Sequence, residues 1–168
     1  GGILYVSFSL LNTSLLFVQN TSLILNGGGG VGLGGLLLCV NSMVRITNTQ
    51  VTTLQLVATS KDTLLQGGGL AVMSNSSVAV TRSTFTDNIL TGTSSILGGA
   101  VAVFGQLTTD HCHFHTMVHG GRGTAIFLAQ NYGGNEAVVI SKNTQWRAVN
   151  ELTAFCDESV IGSVIMSV

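Results

Sequence analysis

The sequence predicts an all-β chain wound as a parallel β-helix, a β-solenoid of five to six coils. Three observations carry this expectation. Motifs recur along the chain, strand-like runs of period two lie inside each copy, and all 168 residues lack proline. Proline cannot donate to a β-ladder, so a fold in which every coil pairs with its neighbours excludes it.

The recurrence is clearest from Gly34 to Thr47. Slid forward by 34 residues, this stretch meets Gly68 to Thr81 with no gap. A glycine pair, an apolar alternation, an Asn-Ser dipeptide and a closing Thr coincide. Further copies open at Gly98, Gly123 and Gly162, and an earlier one at Gly1. The spacing varies while the motifs persist, which argues against helical repeats of fixed length. Short runs of Val, Ile, Leu and Thr separated by Gly and polar clusters read as strands and turns. Each copy is then one coil, and loops of differing length protrude from the stack.

Composition narrows function. Charged residues make up 8% of the chain, against an ordinary ~25%. Six basic and seven acidic side chains leave a net charge of −1. With no basic excess to neutralise phosphates, a nucleic-acid partner is not expected. The longest uncharged apolar stretch, Val31 to Val40, contains three glycines and is about half a membrane span, so no transmembrane segment is expected. The chain opens at Gly1 without Met and closes in the strand-like run Val164 to Val168. Residues 1–168 therefore read as a single β-helix domain, either a segment of a longer solenoid or a subunit that stacks end to end.

Two motifs resemble a known family. Gly98-Gly99-Ala100-Val101 resembles the GGA[ILV] motif, and Phe85-Thr86-Asp87-Asn88 resembles the FxxN motif. Both mark the polymorphic-outer-membrane-protein (Pmp) type of right-handed β-helix repeat, found in bacterial surface passengers and large extracellular algal and protist proteins. Met117 stands where a second FxxN asparagine would be, and Val51 to Leu54 lacks both Phe and Asn. The resemblance implies a right-handed coil, an extracellular or cell-surface location, an adhesive or structural role, and no catalytic residues. Chirality habit favours the same hand.

Stacking turns the alignment into columns. Leu36, Leu70, Ala100, Ala125 and Ser163 form one, and Leu38, Val72, Ala102, Phe127 and Ile165 another; both are expected inside. The alternate positions are expected outside. They are Leu37, Ala71, Val101, Ile126 and Val164, then Cys39, Met73, Val103, Leu128 and Met166. These too are apolar, so this face needs a cover, either a folded-over loop or an interface. Apart from Cys39 they are the expected interface residues. Phe17, Phe85 and Phe114, with Trp146 near the same position, are expected to stack inside the coil, and Asn20 and Asn88 to form an asparagine ladder in a turn.

Asp110-His111-Cys112-His113-Phe114-His115 is the most conspicuous cluster, with His119 nearby. On a strand with Phe114 inward, His111, His113 and His115 face outward together, about 6.6 Å apart. Imidazoles so placed can share a surface zinc or copper ion; the alternative is a solvated strand. No other cofactor is expected. Cys112 is expected inward. Cys39, Cys112 and Cys156 are an odd set, read mainly as buried free thiols with room for a Cys112–Cys156 bridge. Arg82, His111 and Lys142 are candidates for one outward basic column, a solvated face or a contact for an anionic sugar. Asn12 and Asn75 begin usable glycosylation sequons, whereas Asn20 is doubtful if it faces inward.

The expected function is a non-enzymatic extracellular structural module that self-assembles, head to tail or laterally, or forms part of a fibre or cell-surface appendage. An adhesin or glycan-binding passenger segment is the alternative. A polysaccharide-acting enzyme is a third reading, disfavoured because the seven acids do not cluster.

Overall fold

The computed structural model describes residues 4–7, 9–14, 17–25, 31–58, 64–92, 96–98, 100–118, 126–128, 137–148, 154–156 and 163–167. Side chains are described for 7, 9–11, 34–52, 57, 67–86, 98, 100–115, 126–128 and 137–147. Among the described residues there is no helix; the chain is all-β.

Strands arise where Val, Leu, Ile and Thr alternate, and they fall into successive repeats. The first repeat holds β1 (Leu4–Ser7), β2 (Leu10–Ser14), β3 (Phe17–Leu25) and β4 (Val31–Leu33). The second holds β5 (Leu37–Val40), β6 (Met43–Thr47), β7 (Gln50–Ala58) and β8 (Leu64–Gln66). The third holds β9 (Leu70–Val72), β10 (Ser77–Thr81), β11 (Thr84–Gly92) and β12 (Ile96–Leu97). Then come β13 (Val101–Val103), β14 (Gln106–Asp110) and β15 (His113–Val118), followed by β16 (Ile126–Leu128), β17 (Val138–Lys142) and β18 (Gln145–Ala148). The last are β19 (Ala154–Cys156) and β20 (Ser163–Ser167).

Corresponding strands of successive repeats pair, and every pairing is parallel. Sheet A runs β1-β5-β9-β13-β16-β19, and sheet B runs β2-β6-β10-β14-β17-β20. Sheet C joins β3, β7, β11, β15 and β18, and the three-stranded sheet D joins β4, β8 and β12. Parallel neighbours need long crossovers. Here the crossover between neighbours in one sheet is built from the strands of the others.

The register corrects one expected column set. Sheet A pairs Leu37 with Leu70 and Leu38 with Ala71, an offset of 33, whereas sheet B pairs Met43 with Ser77, an offset of 34. Counted by register, the path from sheet A to sheet B therefore gains one residue between the second and third repeats. The three glycines Gly67 to Gly69 let the ungapped alignment hide this. The left-handed glycines are Gly34, Gly67 and Gly98, with φ of 58°, 65° and 69°. The aligned motifs are thus Gly34-Gly35-Leu36-Leu37, Gly67-Gly68-Gly69-Leu70 and Gly98-Gly99-Ala100-Val101.

A slip of one residue exchanges the two faces of a strand. Leu37, Val101, Val103, Ile126 and Leu128, expected outside as interface residues, have no exposure and belong to the main core. Cys39 joins them there. Of the expected interior, Leu36, Leu70, Val72 and Ala100 do lie in that core. Leu38, Ala102 and Phe127, also expected inside, do not. In register they form the opposite column with Ala71. That column is itself buried by the chain, with Ala102 and Phe127 packed against Phe104. Ala71 is therefore not an open interface residue, and Met73 is half-buried in the corner. Ala125 and the side chains of Ser163, Val164, Ile165 and Met166 lie outside the described residues.

Sheet A is buried on both faces along β5, β9, β13 and β16, while sheet B alternates buried and exposed positions. The first kind of strand needs cover on both sides, the second on one.

The aromatic stack forms on sheet C. Phe85 and Phe114 stack at 4.8 Å, and Phe114 and Trp146 at 4.2 Å, with ring planes within 7°. Trp146 Nε1 donates to Ser141 Oγ at 2.9 Å, which also accepts from Thr109 Oγ1 at 2.9 Å. Phe17 is not in this column. It pairs with Gln50, and the column continues through Val51 to Val18. Asn88 pairs with Thr116 rather than Met117, because the register shifts between Phe85 and Asn88. The side chains of Asn20 and Asn88 lie outside the described residues.

A Cβ on Gly34 would collide with the Leu37 carbonyl, and the positive φ adds strain. Gly34→Ala is expected to lower stability by at least about 2 kcal/mol. Asn48, also left-handed at φ 49°, should accept glycine within about 1 kcal/mol. Urea unfolding followed by Trp146 fluorescence checks both, and a wild-type Gly34→Ala midpoint would refute the corner assignment.

Candidate functional site

The surface with the densest chemistry is the corner between sheets B and C. It begins with a backbone requirement. Asn48, Arg82, His111 and Asn143 follow the last residues of β6, β10, β14 and β17, and all four take positive φ, between 47° and 52°. Asparagine and histidine adopt this conformation more readily than most residues, and arginine less. Their side chains all project into solvent as one column.

The residue after each corner points inward and closes it. Thr49, Ser83, Cys112 and Thr144 hold these positions. The Thr49 N–H donates to Ser83 Oγ at 3.1 Å, and the Cys112 N–H to Thr144 Oγ1 at 3.4 Å. Cys112 bonds in the same way with the Ser83 backbone. Each hydroxyl also donates to the carbonyl two residues back, from Ser83 to Thr81 at 2.9 Å and from Thr144 to Lys142 at 2.7 Å. The corner between sheets A and B repeats the device. The Ser9 N–H donates to Ser42 Oγ at 3.0 Å, and the Ser42 N–H to Ser76 Oγ at 3.4 Å. Gly105 ends that ladder, since a Cβ there would crowd the Met73 and Ser76 carbonyls.

On the outer side, Asp110 lies beside Lys142 in register, His113 beside Gln145, and His115 beside Arg147. His111 Nδ1 lies 2.9 Å from Asp110 Oδ1, and Asn143 Nδ2 donates to the same oxygen at 3.2 Å. His113 Nδ1 is 3.1 Å from Gln145 Oε1. The Asn143 bond is the largest influence and holds the Asp110 carboxyl below the ordinary carboxylate range; burial opposes it, and His111 and then Lys142 add smaller lowering effects.

The three candidate metal-binding histidines are divided by this geometry. His113 and His115 share the outer face of β15, but His111 sits at the corner, outside that strand. Among the described residues no three His, Cys, Asp or Glu side chains come together as a metal-binding group. His119 lies outside the described residues. Arg82 and His111 share a column as expected, but its next member is Asn143; Lys142 stands beside Asp110.

Cys112 faces inward with Phe114, as expected. Cys39 and Cys112 are free thiols, so the Cys112–Cys156 bridge is not formed. Burial raises both thiols above their ordinary range. Asn75 is exposed at a left-handed corner of sheet B, and Asn12 pairs with exposed Arg45; the Asn12 side chain lies outside the described residues. A shallow groove of about 390 Å³ runs beside Asn75, from Met43 past Ser77 and Gln106 to Val138. Met43 and its partner Leu10 are the large apolar side chains left exposed among the described residues, at 59% and 67%.

The corner ladders were not among the features expected from the sequence. Their signal was present as Asn-Ser or Asn-Thr at Asn41, Asn48, Asn75 and Asn143, a left-handed residue followed by a hydroxyl. Arg82-Ser83 and His111-Cys112 hid it by changing both members.

Among the described residues no helix is long and apolar enough to cross a membrane. Comparison of the chain with family models, with curated proteins and with solved structures found no match.

Two outcomes follow from the corner chemistry. Cys112→Ser keeps an acceptor for the Ser83 backbone and should change stability by less than about 1 kcal/mol, whereas Cys112→Val should cost about 1–3 kcal/mol. Thermal melts of the two variants check this. The lowered Asp110 carboxyl stabilises the fold in full above the unfolded-state value of about 3.9. That stabilisation is lost as pH falls through the native value. Asp110→Asn should therefore flatten the acid limb of a stability–pH profile and leave its neutral plateau shape unchanged.

Proposed function

We propose that the chain is a right-handed parallel β-helix of five to six coils that acts as a non-enzymatic structural module. It works outside the cell or at its surface, assembling with copies of itself or forming part of a fibre or appendage. The observation that carries this reading is the repetition of one bonding pattern. Parallel ladders, inward apolar columns and corner hydroxyl bonds recur from repeat to repeat, so each repeat offers its neighbour the same donors and acceptors. The hand, the location and the Pmp-type repeat are supported by the resemblance of Gly98-Gly99-Ala100-Val101 and Phe85-Thr86-Asp87-Asn88. The proposal assigns no catalytic residue and no cofactor.

The apolar outer face first considered for lateral contact is internal, so assembly is placed instead on the strand ladders. A second reading, glycan binding, is favoured by the polar face around His111.

Electron microscopy of the purified chain without ligand tests the assembly. Filaments with an axial repeat of about 24–29 Å, five to six coils at ~4.8 Å each, would support stacking. Monodisperse particles at every concentration would overturn self-assembly.

A further inference from the structure

We propose that the corner between sheets B and C, with the outer face of β15 and β18, binds a linear polyanionic glycan. This rests on the second, glycan-binding reading and is independent of self-assembly.

The cations are unevenly placed. The chain has six Lys and Arg and four His. Arg82, Lys142 and Arg147 meet His111, His113 and His115 on this one surface, and Arg82, His111, Lys142 and Arg147 are exposed. The described acid among them is Asp110, already engaged by His111 and Asn143. Parallel pairing sets His113 against Gln145 and His115 against Arg147, rows about 4.8 Å apart. The donors ride on strands and on fixed left-handed corners, so little ordering accompanies binding.

The shape and chemistry select the ligand. The surface is an open face built on strands, which suits an extended polymer better than an enclosed small molecule. Arg and Lys bind carboxylate or sulfate groups, while Gln145 and Asn143 offer amides to sugar hydroxyls. The aromatic side chains of these strands, Phe114 and Trp146, are packed inward. The Phe and Trp rings that commonly stack bases or neutral sugars are thus withheld from this face, which disfavours single-stranded nucleic acid. Affinity must come from charge.

The test is biolayer interferometry of the whole chain on immobilised heparin, alginate and dextran at neutral pH. Heparin or alginate should bind and dextran should not, and raising salt from about 50 to about 200 mM should weaken binding. Sulfate preference would show as heparin alone, carboxylate recognition as both. The double variant Lys142→Gln, Arg147→Gln should lose about tenfold or more in affinity. Arg45→Gln, on the outer face of β6, should change nothing. Equal binding to dextran, an equal loss in Arg45→Gln, or tighter binding to single-stranded DNA than to either polyanion would overturn the proposal. Electron microscopy reports assembly separately, so a failure of one reading is not mistaken for a failure of the other.

Discussion

The structure depends on turning the chain sharply between sheets without leaving a buried amide unpaired. A tight corner needs a left-handed residue, and the amide that follows it points into the stack. The hydroxyl or thiol of the neighbouring repeat accepts that amide, as Ser83 does for Thr49 and Thr144 for Cys112. The corner bond therefore does two jobs. It satisfies a donor that water cannot reach, and it ties each repeat to the next at a position where the strand ladders are interrupted. The parallel sheets on either side can be straight and apolar because the polar cost of turning is met at these points.

Much of the architecture was legible in the sequence, and the failures are slips of one residue or backbone turns that the sequence does not mark. Phe85 and Phe114 announced the aromatic stack because large rings at matching positions have few other places to go. The inward direction of Cys112 followed from Phe114 two residues on. The faces of sheet A were misread because Gly67, Gly68 and Gly69 are interchangeable in an alignment but not in a structure. Only one of them occupies the left-handed corner, and the choice decides whether Leu37 or Leu38 enters the core. Phe17 failed for the same reason, one residue from the column that Val18 occupies. The candidate site was legible as a cluster of histidines, but not as a corner. His111 is left-handed, and a histidine there carries no sequence mark distinguishing it from a strand residue.

The sheets also divide the labour. Along β5, β9, β13 and β16 sheet A is buried on both faces. Sheets B and C keep one face toward water, and the residues with binding chemistry, Arg82, His111, Lys142 and Arg147, stand where these two sheets meet. A left-handed corner lifts its side chain clear of the sheet, so the requirement that closes the fold also exposes Asn48, Arg82, His111 and Asn143.

The corners between sheets A and B differ in length. They span 41–42 after β5, 73–76 after β9 and 104–105 after β13, while nine residues of sequence separate β16 from β17. Sheet B nevertheless resumes in phase after every one of them. A length change is absorbed where it occurs and does not travel down the chain. In evolutionary terms the molecule behaves as a row of separately editable shelves. Residues can be added to one repeat to alter what it displays, while the repeats above and below keep their alignment.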